Sequence, residues 1–432
     1  MSEKSNNARE IVLSALYKME QEGAYFNIVL KETLNRVSDT DRRFATELMY
    51  GVIKRRLTLD YIIMRFSKIK MKKMTPWVRN ILRMGIYQIY FMDKIPHSAA
   101  CNESVKQAKK HAHTSAVRFV NGVLRNAARG IDTIEYPSKE NTVEYLSIFY
   151  SYPQWMVEKL LSQYGKDECE KILKACNAPS SPTLRVNRLK NNREELAERL
   201  QTEGIQTKND ELLPDCLHIE GRLNINRSSA YQDGRYSLQG IGSMQAVLSL
   251  DPKPSEIVMD ICAAPGGKSC YIAERMQNQG EVFAFDLHPH KIPLIEQSAA
   301  RLGIDIITAQ TQDGTHLMPQ YKERADRVLA DVPCSGLGVI ASKPDIKWTH
   351  QESDIAALAE IQSQILDNAC EYVKPGGILL YSTCTILKEE NEEQVSRFLA
   401  RHTEFKKCEE KLLLPHKDAG TGFYICNMRK KL

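Results

Sequence analysis

From Ser255 onward the chain alternates short apolar runs with amphipathic stretches. SEIVM, EVFAF, DIITA, ADRVLA and GGILLYS are strand-like, and helical segments follow the first, second, fourth and fifth. Runs of this length that are apolar throughout suit strands buried on both faces of a sheet. Strands that alternate with helices imply parallel neighbours joined by crossovers, so residues 231–432 are expected to form a doubly wound, Rossmann-like α/β domain. QGIGSMQAVLSL, Gln239 to Leu250, reads as the helix leading into it. The longest helix is expected from about Asp354 to Val373, with Ile355, Leu358, Ile365, Ala369 and Tyr372 along one face. FYICNMR, near the end, is expected as an antiparallel edge strand.

Open sheets bind ligands beyond the carboxyl ends of their strands. Three loops lie there: DICAAPGGKS from Asp260 to Ser269, ADVPCSG around Cys334, and YSTCT around Cys384. In the first, Gly266 and Gly267 let the backbone turn sharply and approach a bound molecule. Its spacing is neither that of a phosphate-binding P-loop nor that of the three-glycine dinucleotide fingerprint. The second strand ends in Asp286, well placed for the hydroxyl pair of a ribose. Loop and acid together read as a nucleoside cofactor site that demands no phosphate.

At 432 residues the chain exceeds what one core serves, so two or three domains are expected. The net charge of +5 is unevenly spread: residues 1–130 carry 24 Lys and Arg against 11 Asp and Glu, or +13, leaving 35 against 43, or −8, for the rest. A basic module joined to a mildly acidic one points to a polyanion-binding domain serving a catalytic one. The blander alternative is a solvated, Lys-rich helical surface. No run of eighteen apolar residues occurs and the opening MSEKSNNARE is polar, so neither a membrane span nor a secretory signal is expected, and the protein should be soluble and cytoplasmic. Eleven cysteines without a Cys-x-x-Cys pair argue against a disulfide framework and a structural zinc, and no metal site is expected. Cys101, Cys169, Cys176, Cys370 and Cys426 are read as small buried hydrophobes. His288, His290 and His350 have no partner at ligand spacing and are read as surface or structural.

From Ala8 to about Arg129 the pattern is helical. SDTD, Ser38 to Asp41, offers caps before Arg42, and Thr75-Pro76 is an N-cap followed by proline at the first helical position. Arg42, Arg43, Lys54, Arg55, Arg56, Lys68, Lys70, Lys72 and Lys73 are candidate phosphate contacts, which add affinity without reading sequence. Residues 131–230 read as a small α+β module: two helices through Cys176, a break at NAPSSP, a strand at Thr183 to Val186, a helix in NREELAERLQTEG and a strand in CLHIEG. Arg185 and Arg188 are further candidate contacts to that polyanion, although the module is nearly as readable as a passive spacer.

DICAAPGGKS, FAFDLH, TQDGT, ADVPCSGLGV with PDIKW, and YSTCT follow one another in an order and at a spacing that resemble the RNA (cytosine-5) methyltransferases dependent on S-adenosylmethionine. The basic helices ending in FVNGVLR resemble the RNA-binding domain of the antitermination factor NusB. A chain with both resembles the members of the family that act on small-subunit ribosomal RNA. The resemblance implies an all-α NusB-like bundle over 1–130, an α+β linker that guides RNA over 131–230, and the methyltransferase domain over 231–432. It implies a monomer that methylates carbon 5 of a cytosine in 16S ribosomal RNA, naked or partly assembled.

That carbon is a poor nucleophile until something adds to carbon 6, a task suited to a thiolate. The resemblance gives the attack to Cys384 and release of the product to Cys334. DNA cytosine-5 enzymes attack from a Pro-Cys motif, which would point to Cys334; the presence of both cysteines favours the RNA pattern. Asp331 is implied to hydrogen-bond ring nitrogen 3 in its protonated form and to lie near the cofactor's methyl end. Pro333 keeps the turn rigid, and Gly336 and Gly338 leave room for a flipped base. On the cofactor, Cys262, Ala263, Ala264, Pro265, Gly266, Gly267 and Lys268 are implied to cradle the amino-acid part, Asp286 the ribose, and Asp313 the adenine amine. Lys268 either binds the cofactor carboxylate or simply opens the helix. The family usually carries two arginines ahead of Pro-Asp-hydrophobic-Lys, beside the base pocket; here Ala341, Ser342 and Lys343 precede Pro344 to Lys347.

Methylation of an exocyclic amine would need a Pro-Pro motif, and the chain has none. A transfer-RNA cytosine-5 methyltransferase shares the catalytic motifs but usually lacks the helical N-terminal domain. A non-catalytic RNA-binding or antitermination factor would have no use for both cysteines and the cofactor loop.

Overall fold

The computed structural model describes residues 7–38, 40–179, 181–221, 223–418 and 420–432; the opening residues 1–6, Asp39 of SDTD and Ser180 of NAPSSP lie outside them. The chain forms two compact units, residues 1–177 with 343–349, and residues 178–342 with 350–432. Among the described residues no helix is long and apolar enough to cross a membrane.

The first unit is helical: Ala8–Glu22, Phe26–Arg36, Arg42–Lys54, Arg56–Phe66, Pro76–Phe91, His97–His111 and Thr114–Arg129 precede Thr142–Tyr150 and Gln154–Asn177. Helical spacing of apolar residues produces it, since Leu13, Leu48, Ile62, Leu82, Ile86 and Leu124 are all fully or almost fully buried in one shared core. Thr75 caps the helix at Pro76, its side chain accepting from the Val78 amide at 3.4 Å. Before Arg42 the cap differs from expectation: Asp41 makes no side-chain bond to the helix, and Ser38 Oγ donates to Asp41 Oδ2 at 2.8 Å. The helices 42–54 and 76–91 approach so closely at Gly51 that a Cβ there would meet the Tyr87 ring at 1.8 Å. The stretch 154–177 breaks at Gly165, whose φ of 73° ends the first of the two expected helices.

Several cations expected at phosphates are at the surface: Arg43, Lys68, Lys70, Lys72 and Lys73 are exposed. Lys54 is not. It is 7% exposed, and burial lowers its pKa to about 8. Arg56 lies over the Trp348 ring, 5.3 Å from its centre. Residues 343–349 pack within this unit, where fully buried Lys347 donates to the carbonyls of Lys54 and Ser151 at 3.1 Å each and to Asn177 Oδ1 at 2.7 Å. Its ammonium also lies 3.7 Å from the centre of the Tyr152 ring. Burial pushes its pKa well below the ordinary lysine value. The cation of the Pro-Asp-Ile-Lys segment therefore serves packing in the helical unit.

The second unit holds two sheets. The smaller has β1 (Thr183–Val186), β2 (Gln206–Asn209), β3 (Cys216–Glu220) and β4 (Tyr236–Leu238) in the order β2-β3-β1-β4, all antiparallel. A helix, Arg193–Thr202, covers it and starts at a reciprocal cap between Asn192 and Glu195. Leu184, Val186, Leu196, Leu200, Leu217, Ile219 and Tyr236 form the core between them. The strand, helix and strand read from sequence are all present. β2 and β4, short and partly polar, were not foreseen.

The larger sheet has β5 (Ile257–Asp260), β6 (Glu281–Asp286), β7 (Ile307–Thr311), β8 (Ala325–Asp331), β9 (Val373–Thr383), β10 (Phe405–Leu413) and β11 (Phe423–Lys430), in the order β10-β11-β9-β8-β5-β6-β7. The five runs read as strands are β5 to β9, and their pairings are parallel. Alternate residues of the inner strands feed two cores: in β8, Val328 and Ala330 pack with Ile365, Leu366 and Phe398 on one face, and Leu329 with Val247, Leu250 and Tyr271 on the other. The long helix runs Glu352–Glu371. FYICNMR is antiparallel as expected but is no edge strand, because β11 is inserted between β9 and β10. The edge is β10, whose residues 406 to 411 face solvent with three lysines and two glutamates, a charged edge that resists pairing with another chain.

Arg185 is the clearest correction. Its side chain is 0% exposed and forms a two-pronged ion pair with Glu274, Nη2 to Oε1 at 2.6 Å and Nε to Oε2 at 3.1 Å, so it is no RNA contact. It also donates to the Gly267 carbonyl at 2.6 Å and thereby holds the first turn of the helix after β5. Arg188, by contrast, keeps half of its side chain exposed.

Candidate active site

The strand order reverses between β5 and β8, and in open sheets of this kind ligands bind in the crevice at the carboxyl edge beside such a reversal. After β5 the chain turns through Cys262 to Gly266 into the helix Gly267–Arg275. Ala263 N donates to the Phe285 carbonyl at 2.7 Å, and Ala264 N to Asp286 Oδ2 at 3.2 Å, so the loop is pinned to the end of β6. The Ala264–Pro265 peptide is cis, and Gly266 takes a φ of 96°, where a side chain would be strained. A Cβ at Gly267 would meet nothing within 4 Å, so the backbone there faces open space.

Asp286 accepts from Ala264 N and, through Oδ1, from His288 N at 3.0 Å; each oxygen keeps a lone pair for a diol. Gln312 N donates to the Asp286 carbonyl at 2.9 Å, which brings the chain entering Asp313 alongside. Asp313 Oδ1 accepts from the hydroxyl and amide of Thr315 at 2.7 and 2.9 Å, and these bonds hold its carboxyl below the usual range. Fully buried Asp260 is bonded through Oδ2 to Ser269 Oγ at 2.6 Å, while Oδ1 has no partner. Desolvation raises its pKa to about 7 against the opposing pull of Ser269 and Lys268. An open backbone at a helix start, lone pairs at Asp286 and an unpartnered buried oxygen beneath the loop fit the S-adenosylmethionine that the family resemblance implies.

Lys268 opens its helix and also reaches across the crevice. Its Nζ lies 2.6 Å from Asp331 Oδ2, and Asp331 Oδ1 accepts from Ser382 Oγ at 2.8 Å. The charge and bond of Asp331 raise the Lys268 pKa against the opposing effect of burial. Three strand ends, β5, β8 and β9, are thus tied by two hydrogen bonds at Asp331.

Cys334 and Cys384 follow adjacent parallel strands, and their sulfurs lie 3.1 Å apart. Cys384 N donates to Cys334 Sγ at 3.2 Å, and the Cys384 carbonyl accepts from Gly338 N at 3.0 Å. The bond to Cys384, burial, and the charges of Cys384 and Glu390 push the Cys334 thiol well above its ordinary pKa. Cys101, Cys169, Cys176, Cys370 and Cys426 are buried, as read from sequence.

Gly336 has a φ of 72°, which favours glycine. Gly338 does not leave room for a base: a Cβ there would lie 2.1 Å from the Gly422 carbonyl oxygen, so its bareness serves the approach of another chain segment. Sequence reading also missed Ser382, Gln362, Glu390 and Asn391, the polar residues beneath the cysteines. Glu390 and Asn391 lie in KEENEE, whose acidity reads as solvated surface, yet both are fully buried.

Comparison with known proteins agrees with this geometry. Residues 247–429 match the model of the 16S rRNA methyltransferase RsmB/F family, residues 6–129 that of the NusB family, and residues 152–226 the ferredoxin-like domain of RsmF/B-like methyltransferases. The chain is 41% identical over 449 residues to the probable ribosomal RNA small subunit methyltransferase B of Bacillus subtilis (strain 168), covering 99% of this chain and 100% of that one. It is 33% identical to the Synechocystis (strain PCC 6803) protein of the same description, covering 98% and 99%. The crystal structure of PH0851 superposes with a TM-score of 0.85 at 28% identity over 99% of each chain. A methyltransferase homologue from Pyrococcus horikoshii does so with 0.61 at 26% identity, over 67% of this chain and 99% of that one. With a NusB-like bundle, a ferredoxin-like module and a Rossmann-like domain whose crevice brings two cysteines together, the chain belongs to the RsmB/F family of S-adenosylmethionine-dependent rRNA methyltransferases.

Proposed function

We propose that this enzyme methylates carbon 5 of a cytosine in small-subunit ribosomal RNA through a covalent bond between Cys384 and the base. The observation that carries the reading is the 3.1 Å approach of Cys334 and Cys384 beside Asp331. S-adenosylmethionine supplies an activated methyl group on a sulfonium. Cys262 to Lys268 and Asp260 hold its amino-acid part, Asp286 its ribose and Asp313 its adenine edge.

The Cys384 thiolate adds to carbon 6, forming a carbon–sulfur bond and moving the ring's electron pair toward carbon 5 and nitrogen 3. Asp331 faces nitrogen 3, and the Lys268 ammonium bonded to it stands beside the charge the ring accumulates. Carbon 5 is now the nucleophile that methyl transfer requires. Once methylated, it loses its proton to a base, the carbon–sulfur bond breaks, and the electron pair restores the ring double bond as the Cys384 thiolate leaves. Cys334, beside it, assists this release.

The rest of the assignment follows from the same reading. Residues 1–130 bind RNA through exposed cations such as Lys68, Lys70, Lys72 and Lys73, residues 131–230 guide it, and residues 231–432 carry the chemistry. The protein works in the cytoplasm as a monomer on naked or partly assembled RNA. Bisulfite sequencing of 16S transcripts treated with the purified protein and S-adenosylmethionine tests this: one cytosine becomes resistant. Methyl groups on transfer RNA alone, or on none, would overturn it.

A further inference from the structure

The geometry points to Glu390 as a positioning residue that clamps the Cys334 loop onto the Cys384 loop and so gives Cys334 its part in releasing the methylated base. This rests on the roles proposed above for the two cysteines.

Glu390 ends the short turn Lys388–Glu390 that follows YSTCT, and its side chain is fully buried. Its carboxyl group accepts three bonds: from Ser335 N at 2.9 Å, from Ser335 Oγ at 2.5 Å and from Gln362 Nε2 at 2.9 Å. The same Gln362 nitrogen donates to the Pro333 carbonyl at 3.0 Å. The residues on either side of Cys334 are therefore held by one carboxyl group and one amide. Tyr381 OH donates to the Glu390 carbonyl at 2.7 Å and fixes the turn to β9.

The clamp extends to the other cysteine. Ser335 Oγ meets Thr385 Oγ1 at 2.8 Å, which joins the residues that follow Cys334 and Cys384. Asn391 accepts from Thr383 Oγ1 at 2.5 Å and donates to the Thr385 carbonyl at 3.1 Å, flanking Cys384 from below. Burying such a group is unfavourable unless its bonds are met, and one loop conformation meets them all. A packed apolar residue would stabilise the turn equally well without dictating where Ser335 sits. Two bonds to Ser335, and a third to the Gln362 that holds the Pro333 carbonyl, indicate that loop placement is the purpose. The charge of Glu390 also helps keep Cys334 a thiol, behind the larger effects of the Cys384 bond and burial.

In Glu390→Gln an amide nitrogen faces donors, so Ser335 or Gln362 loses its acceptor and the Cys334 loop is freed. The test uses the full chain with S-adenosylmethionine and a 16S transcript, and follows single-turnover methylation, steady-state kcat, KM for the cofactor, and protein–RNA adduct that survives denaturing electrophoresis. We expect kcat to fall by about tenfold or more, with cofactor KM and the single-turnover rate little changed, and adduct to accumulate. Glu390→Asp should restore part of the rate, and Ser335→Ala should show a weaker form of the same accumulation. Wild-type kcat in Glu390→Gln, or a lower kcat without adduct, would overturn the proposal. If Glu390→Gln does not fold by circular dichroism, Ser335→Ala decides alone: adduct sustains the clamp and its absence removes it. Adduct persisting in Cys384→Ser would instead overturn the role of Cys384 and leave the placement of Glu390 a separate matter.

Discussion

Lys268 Nζ lies 2.6 Å from Asp331 Oδ2, joining the cofactor loop after β5 to the end of β8 through one charge-assisted bond. That bond ties the loop after β5 to the strand end that leads to Cys334. Lys268→Met and Asp331→Asn should each lower kcat by about 10²-fold or more. Because the two residues act as a unit, the double variant should be little worse than the poorer single one, as methyl incorporation under saturating cofactor would show. Additive losses would mean that they work separately.

Arg185 and Glu274 form a fully buried ion pair beneath the same loop. Removing one partner leaves an uncompensated buried charge, so Arg185→Met should destabilise the protein by about 3–5 kcal/mol in urea titration. Arg188→Ala, at an exposed position, should leave stability unchanged within about 0.5 kcal/mol. If Arg185→Met instead lowered RNA affinity at unaltered stability, the burial assigned to it here would be wrong.

Asp260 gives a pH signature. Its folded pKa of about 7 lies above the ordinary value of 3.8, so between the two the folded chain binds more protons than the unfolded one. Stability must then fall as pH rises through that window and level off above it. Asp260→Asn lacks this contribution. Relative to the variant, the wild type should lose about 3 kcal/mol between pH 4 and pH 7, measured by denaturant titration at each pH. Parallel curves would refute the raised pKa.

Two glycines separate packing from binding. At Gly338 a Cβ would meet the Gly422 backbone at 2.1 Å, which cannot yield cheaply, so Gly338→Ala should cost about 1–3 kcal/mol of stability. At Gly267 the space is open, so Gly267→Ala should leave stability intact while weakening S-adenosylmethionine binding, read by calorimetry. Unchanged cofactor affinity in Gly267→Ala would remove that face of the loop from the binding site.

How far the residues announce the fold depends on what each element faces. β5, β6, β8 and β9 carry apolar runs packed between two cores, so they and the loops after them could be placed in advance. β10 faces solvent along FKKCEEKLL and reads as a polar loop; it becomes a strand only by pairing with β11. β11 was legible as a strand but not as an interior one, since the element that covers its outer edge carries no signal of its own. Arg185 appears in sequence as one more cation, and the Glu274 that neutralises it lies 89 residues away. That Cys334, Cys384 and Asp331 lie at one edge of the sheet was legible because they sit in ordered motifs after recognisable strands. Glu390 was not, because nothing in residue type separates it from Glu389 beside it.

The most direct measurement is to incubate Cys334→Ala with S-adenosylmethionine and a 16S transcript, digest the stalled complex, and identify by mass spectrometry the residue joined to RNA. The account predicts a methylated cytosine bonded to Cys384. A crosslink at any other residue, or a variant that turns over freely without adduct, would contradict it.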